Sequence, residues 1–146
     1  MIDLALLTGQ RIGDVIDLRW PDVGADGVCF VQGKGGVRLL VEWSSALRAA
    51  IDACATGDRL GHVLKTQSGS GYRYSGIRSA WVRACQRAGI VDLHIHDLRG
   101  RAGVDAIEGD ESQDVRKAQR LLGHKSEAMT RHYTDGKYSK RVKPAK

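Results

Sequence analysis

The stretch LLGHKSEAMTRHYT, Leu121 to Thr134, holds two histidines, an arginine and a tyrosine beside few residues suited to a core. Read as one continuous helix, it would set His124 and Tyr133 about 180° apart and about 13 Å distant along the axis. Gly123 and Ser126 permit a different path. Glycine takes the left-handed conformation that closes a helix, and serine caps the next one, with Glu127 favourable in its first turn. The stretch therefore predicts two helices, with His124 free at the break to fold back towards Tyr133.

Working outward, two more helices precede the break, over His96–Glu108 and Ser112–Leu122, separated by Gly109-Asp110. Upstream, a helix from Ser75 to Ala88 ends at Gly89, and a Gly/Ser-rich loop spans Lys65 to Tyr74. Gly27–Gln32 and Val37–Trp43 are β-rich runs on either side of Gly33-Lys34-Gly35-Gly36, which is a hairpin signal with Lys34 carried on the turn. Ser44 or Ser45 caps a helix running to Ala55, and the apolar piece His62–Leu64 is a candidate third strand. At the start, an apolar pattern from Met1 to Leu7 is interrupted by Thr8-Gly9. A second helix then places Ile12, Val15, Ile16 and the stem of Arg19 on one face, until Trp20-Pro21-Asp22 stops it. The expected class is α+β: a mostly helical domain with a small antiparallel β-sheet, without internal repeat or second domain.

A chain of 146 residues is long enough to bury a real core. It has no signal peptide and no apolar run of membrane-spanning length, so a cytoplasmic protein is expected. Cys29, Cys54 and Cys85 are odd in number and far apart, which argues against a disulfide framework and a cysteine-rich metal site. The net charge of +6 is concentrated in a tail: residues 137–146 hold five basic and no acidic residues, leaving 1–136 near neutral. Such a tail suits nucleic-acid binding or a solubilising end equally well. Placement of single residues has to decide.

A tyrosine is a usable nucleophile, but a phenol ordinarily ionises near pH ~10, so it needs cationic neighbours and a proton acceptor. The chain offers Arg11 after the Thr8-Gly9-Gln10 turn, Lys34 on the hairpin, and His96 with Arg99 on one face of a helix start. Two arginines and a histidine suit the non-bridging oxygens of a phosphodiester, and a lysine suits protonation of a departing alkoxide. No carboxylate cluster accompanies them, which speaks against a metal-dependent nuclease. His94 and His96 form a His-x-His pair but lack a third ligand at a telling spacing. Each residue also has an ordinary reading: Arg11 paired with Asp14, Lys34 solvated, His96 a helix cap, Tyr133 a half-buried aromatic.

The joint order of these residues resembles the catalytic domain of the tyrosine recombinases, the phage-integrase family. The family's Thr-Gly-x-Arg box corresponds to Thr8-Gly9-Gln10-Arg11, with its acidic residue at Asp14 and a Leu-x-Trp-x-Asp-like close at Leu18 to Asp22. Its hairpin lysine corresponds to Gly33-Lys34-Gly35, and its His-x-Leu-Arg box to His96-Asp97-Leu98-Arg99. Its Leu-Gly-His box and following tyrosine correspond to Leu122-Gly123-His124 and Tyr133. The resemblance covers nearly the whole chain.

By that resemblance, Tyr133 is the nucleophile that forms a 3′-phosphotyrosyl link. Arg11, Arg99 and His124 stabilise the transition state, Lys34 protonates the leaving 5′ oxygen, and His96 assists proton transfer at the nucleophile. The link conserves the bond's free energy, so no cofactor, metal or ATP is implied. The implied partner is double-stranded DNA, with a tetramer as the working assembly and a monomer or weak oligomer for the isolated domain. Phage or prophage origin in a bacterial host follows from the same likeness, as does docking of a C-terminal segment on a neighbour.

Residues 1–136 thus read as the catalytic domain and 137–146 as a basic tail. The family's N-terminal DNA-clamping domain is expected to be absent, because ten residues precede Arg11, and Gly100-Arg101 departs from the family's usual His/Thr-rich continuation. A type IB topoisomerase and a non-catalytic DNA-binding module are the rival readings. Arg73, Arg78, Arg83 and Arg87 suit a basic helix flank that contacts phosphates and a merely solvated face equally well, while Trp20, Trp43 and Trp81 are expected to pack.

Overall fold

The computed structural model describes residues 1–33 and 36–135. Among these, seven helices accompany one two-stranded antiparallel sheet, so the chain is α+β with a mostly helical body. Lys34 and the basic tail lie outside the described residues.

Helix α1 (Ile2–Thr8) is closed by Gly9, whose φ of 63° is the left-handed conformation that glycine favours. Helix α2 (Ile12–Ile16) follows directly, with Arg11 as its N-cap. Strands β1 (Gly27–Val31) and β2 (Arg38–Glu42) pair from Gly27 opposite Glu42 to Val31 opposite Arg38. Val28 and Phe30 point into the core while Cys29 and Val31 face out, the alternation of a sheet covered on one side. Helix α3 (Ser45–Asp52) starts on Ser44, whose hydroxyl accepts from the Leu47 amide, and α4 (Tyr74–Arg87) buries Ile77.

Helices α5 (Asp97–Glu108), α6 (Val115–Leu122) and α7 (Glu127–Thr134) form the second half, with α5 packed against α1, α6 and α7. The main core joins Leu4, Val15, Leu18, Val28, Leu47 and Ile51. Full burial of each such aliphatic side chain contributes ~1.5–3 kcal/mol, which is what holds the short α1 and α2 in place. Ile107, Val115 and Ala118 form a smaller cluster between α5 and α6.

Three local expectations are corrected. His62–Leu64 is not a strand: it touches the preceding chain through a single bridge, His62 with Arg19, flanked by Val63 N–H to Leu18 O at 2.9 Å. The tight turn Trp20–Asp22 curls the partner away after that one bridge. Arg19 does not share the face of α2, which ends at Ile16. Finally, α6 begins at Val115 rather than Ser112. The Ser112 hydroxyl donates to Asp110 instead, Gln113 takes a φ of 48°, and Asp114 caps by accepting from the Arg116 amide. Lys117 and Ser112 together hold the Asp110 carboxyl well below the usual carboxylate range.

The tryptophans pack as expected of them. Trp20 is buried, while the indole N–H groups of Trp43 and Trp81 donate to the carbonyls of Gly24 and Leu93. Arg73, Arg78, Arg83 and Arg87 are all exposed. No helix among the described residues is long and apolar enough to cross a membrane.

Candidate active site

The chain breaks at Gly123, which adopts φ 63° and ψ 35° and ends α6. A Cβ there would also lie 2.7 Å from both Gln32 Nε2 and Leu39 Cδ1, so conformation and space alike demand glycine. Ser126 starts α7, its hydroxyl accepting from the Met129 amide at 3.3 Å. Between these signals His124 turns back under α7. Its Nδ1 lies 3.1 Å from the Thr130 hydroxyl, and its ring centroid is 5.2 Å from that of Tyr133.

His96 approaches the same phenol from the start of α5. It makes no side-chain cap there; its Nε2 lies 3.0 Å from Tyr133 Oη instead, with the two rings edge to face at 5.6 Å. His132 adds a second edge contact at 5.9 Å. The phenol is half-buried and ringed by imidazoles.

Arg99, one turn into α5, is only 2% exposed. Its Nη1 donates to the carbonyl of Gly9 and its Nη2 to that of Leu122. These oxygens terminate α1 and α6, where the helix dipole leaves negative charge, so two helix ends offset the cost of burying a cation. Its Nε, although buried, has no hydrogen-bond partner among the described residues. Burial lowers the Arg99 pKa to about 10, with Arg11 repelling it further, so the group stays charged at neutral pH.

Arg11 stands at the N-cap of α2, about one-third exposed. Asp14 lies one turn on, but its Oδ2 is 3.9 Å from Arg11 Nη1, too long for a hydrogen bond. That nitrogen, too, has no hydrogen-bond partner among the described residues. Asp14 uses its other oxygen to accept from the Gly33 amide at 3.0 Å, beside the hairpin turn.

His124 stands beside these two cations. Burial, then Arg99 and Arg11, push its pKa down to about 4, which leaves it neutral at pH 7. In the unfolded chain a histidine takes up its proton near pH ~6.5. Stability that is fully present above pH ~6.5 is therefore lost as pH falls towards about 4, because only the unfolded chain binds the proton in that window. Urea midpoints should decline over that range. His124→Gln should flatten the decline; parallel curves for the two proteins would count against the assignment.

Arg11, Arg99, His124, His96 and Tyr133 thus meet at one place although they come from four separate helices or their ends. Lys34 lies outside the described residues, but Gln32 and Gly33 bring the hairpin against this cluster. Arg101 does not join it: the side chain is exposed and paired with Asp105 and Glu108. His94 is exposed beside Asp97, and no group of three potential ligands is placed to hold a metal among the described residues. Three contributors escaped sequence reasoning: Gln10, Gln32 and Thr130, all buried polar groups. Each bonds across the fold or within one turn, and neither kind of contact leaves a periodic trace.

A tyrosine flanked by histidines thus stands near two arginines that each carry a buried donor without a hydrogen-bond partner among the described residues. The chain belongs to the phage integrase family, whose model matches residues 1–140. It is 30% identical to the tyrosine recombinase XerC of Xanthomonas axonopodis pv. citri (strain 306) over 141 residues, covering 92% of this chain and 45% of that protein. It is likewise 30% identical to the integrase of Escherichia phage lambda over 146 residues, covering 92% and 40%. The fold matches lambda integrase (residues 75–356) as a dimer bound to a COC′ core site, with TM-score 0.81, 24% identity and coverage of 97% and 54%. It also matches lambda integrase as a tetramer bound to a Holliday junction, with TM-score 0.80, 23% identity and coverage of 97% and 44%. The chain spans less than half the length of these two curated relatives.

Proposed function

We propose that this chain is the catalytic portion of a site-specific DNA recombinase, which cleaves and rejoins strands through a 3′-phosphotyrosyl intermediate without metal or ATP. One observation carries the reading: Arg11 Nη1 and Arg99 Nε are buried without hydrogen-bond partners among the described residues, and Arg99 interacts electrostatically with Tyr133, whose hydroxyl is hydrogen-bonded to His96. A phosphate brought there receives fixed cationic donors, which stabilise the extra negative charge of a pentacoordinate transition state.

In the forward step the Tyr133 oxygen attacks phosphorus and its proton passes to His96 Nε2. The bond to the 5′ oxygen breaks, and that oxygen takes a proton from Lys34. Arg11, Arg99 and His124 hold the non-bridging oxygens throughout. A free 5′-hydroxyl from another strand then attacks the phosphotyrosine and restores a phosphodiester. Charge that other nucleases place on metal ions is supplied here by guanidinium groups.

The partner is double-stranded DNA, engaged as a tetramer, inside the cytoplasm of a bacterial host of phage or prophage. Arg116, Arg120 and Lys125 stand beside His124 around a cavity of about 410 Å³ between β2 and α6, whose other wall is formed by the apolar Val37 and Leu39, so further cations are available to flanking phosphates. The relatives found are recombinases and integrases, which leaves the topoisomerase-like and non-catalytic readings unfavoured.

A duplex nicked near the crossover point, incubated with the protein in EDTA and without ATP, should accumulate a covalent protein–DNA adduct. Absence of adduct at any duplex tried, with binding intact, would sink the proposal. Residues 1–146 alone should bind core-site DNA weakly and with steep salt dependence. If about six phosphates are contacted, affinity falls roughly 10³-fold between about 50 and 200 mM salt. A gel shift showing tight, salt-insensitive binding would contradict this.

A further inference from the structure

Beneath the cationic cluster lies a buried amide pair that the proposed chemistry does not use. Gln10 and Gln32 are each 1% exposed. Gln32 Nε2 donates to Gln10 Oε1 at 2.8 Å and to the Leu122 carbonyl at 3.0 Å. Gln10 Nε2 donates in turn to the carbonyls of Thr8 and Leu121, both at 2.9 Å. The Leu122 oxygen is the one that also accepts from Arg99 Nη2.

The backbone of Gln32 closes the hairpin. Its N–H donates to Val37 O at 2.9 Å, and its carbonyl accepts from Gly36 N–H at 3.0 Å. Lys34 follows two residues later in the sequence. One residue therefore holds the base of that turn with its backbone and grips the Arg99 anchor with its side chain. The fit is close, since a Cβ on Gly123 would reach within 2.7 Å of the Gln32 amide nitrogen. Two primary amides in such a place are costly to dehydrate, and apolar residues of similar volume would fill it without that cost. What the amides add is register.

We infer that Gln32, buttressed by Gln10, is a positioning residue that ties the hairpin bearing Lys34 to the Leu122 carbonyl holding Arg99. Proton donor and phosphate-binding arginine then share one reference atom. This rests on the proposed role of Lys34 as the acid for the leaving 5′ oxygen.

The chemistry supplies a test that separates positioning from folding. With an ordinary phosphodiester, the electron pair of the broken bond goes to the 5′ oxygen, which needs a proton. With sulfur in that bridging position, a thiolate departs with the pair and needs none. Gln32→Leu should therefore cleave the oxygen substrate about 10²-fold more slowly, the range over which a positioned acid acts, yet cleave the sulfur substrate within about 3-fold of the parent. Gln10→Met should show a smaller loss with the same substrate pattern, and it keeps the Gln32 bond to Leu122 in case Gln32→Leu folds poorly. Any unfolded fraction lowers both rates alike and leaves their ratio unchanged. Equal slowing on both substrates in both variants would overturn the inference. Lys34→Ala is the reference: if sulfur fails to rescue it, the reading of Lys34 as acid falls and the inference falls with it.

Discussion

Tyr133→Phe is expected to abolish the covalent protein–DNA adduct on a nicked duplex, by on the order of 10⁴-fold or more, because the proposed step takes its attacking oxygen from that phenol. The change should leave the rest of the molecule nearly untouched. Phenylalanine keeps the ring that packs at 5.2 Å from His124 and 5.6 Å from His96, and only the 3.0 Å hydrogen bond to His96 is lost. That bond is solvent-accessible, so its removal costs about 1 kcal/mol or less. DNA affinity should stay within a few-fold of the parent. Adduct is read as a labelled band that survives denaturing electrophoresis. A variant that still forms it would point to another tyrosine, and the exposed Tyr72 and Tyr74 would be the next to replace.

Arg99→Ala carries the second large expectation, and here activity and folding fall together. Cleavage should drop about 10³-fold, as for loss of a preorganised donor to developing negative charge. Stability should drop about 3 kcal/mol, because the carbonyls of Gly9 and Leu122 lose their partner inside the fold and a large side chain leaves a void. Arg99→Lys should recover part of the stability but little of the cleavage, since an ammonium lacks the fork that spans two carbonyls and still presents Nε. Arg101→Ala, two residues along the same helix, is the contrast. Its exposed pairs with Asp105 and Glu108 are worth ~0.5 kcal/mol or less. Urea titration followed by tryptophan fluorescence separates the three. An Arg99→Ala protein as stable as Arg101→Ala would show that the two carbonyls do not depend on the guanidinium.

Much of this arrangement is legible in the sequence. The break at Gly123, the cap at Ser126, the hairpin and the convergence of His124 on Tyr133 all follow from residues whose local preferences are strong and short-ranged. The third strand misled because an apolar triplet says nothing about its partner, and the turn at Trp20–Asp22 removes that partner after one bridge. The start of α6 misled because Ser112 serves Asp110 rather than a helix end. Arg99 was legible as a cation for phosphate, but not as a buried one. Its hydrogen bonds reach carbonyls 90 and 23 residues away, and backbone acceptors have no signature in side-chain order. The amides of Gln10 and Gln32 escaped for the same reason.

The guanidinium that clasps the ends of two helices also sets the order in which the site can be assembled. The buried cation is seated only once the end of α1, the start of α5 and the stretch just before Tyr133 have met. A locally melted copy keeps its tyrosine but loses the surroundings that the fold builds for it.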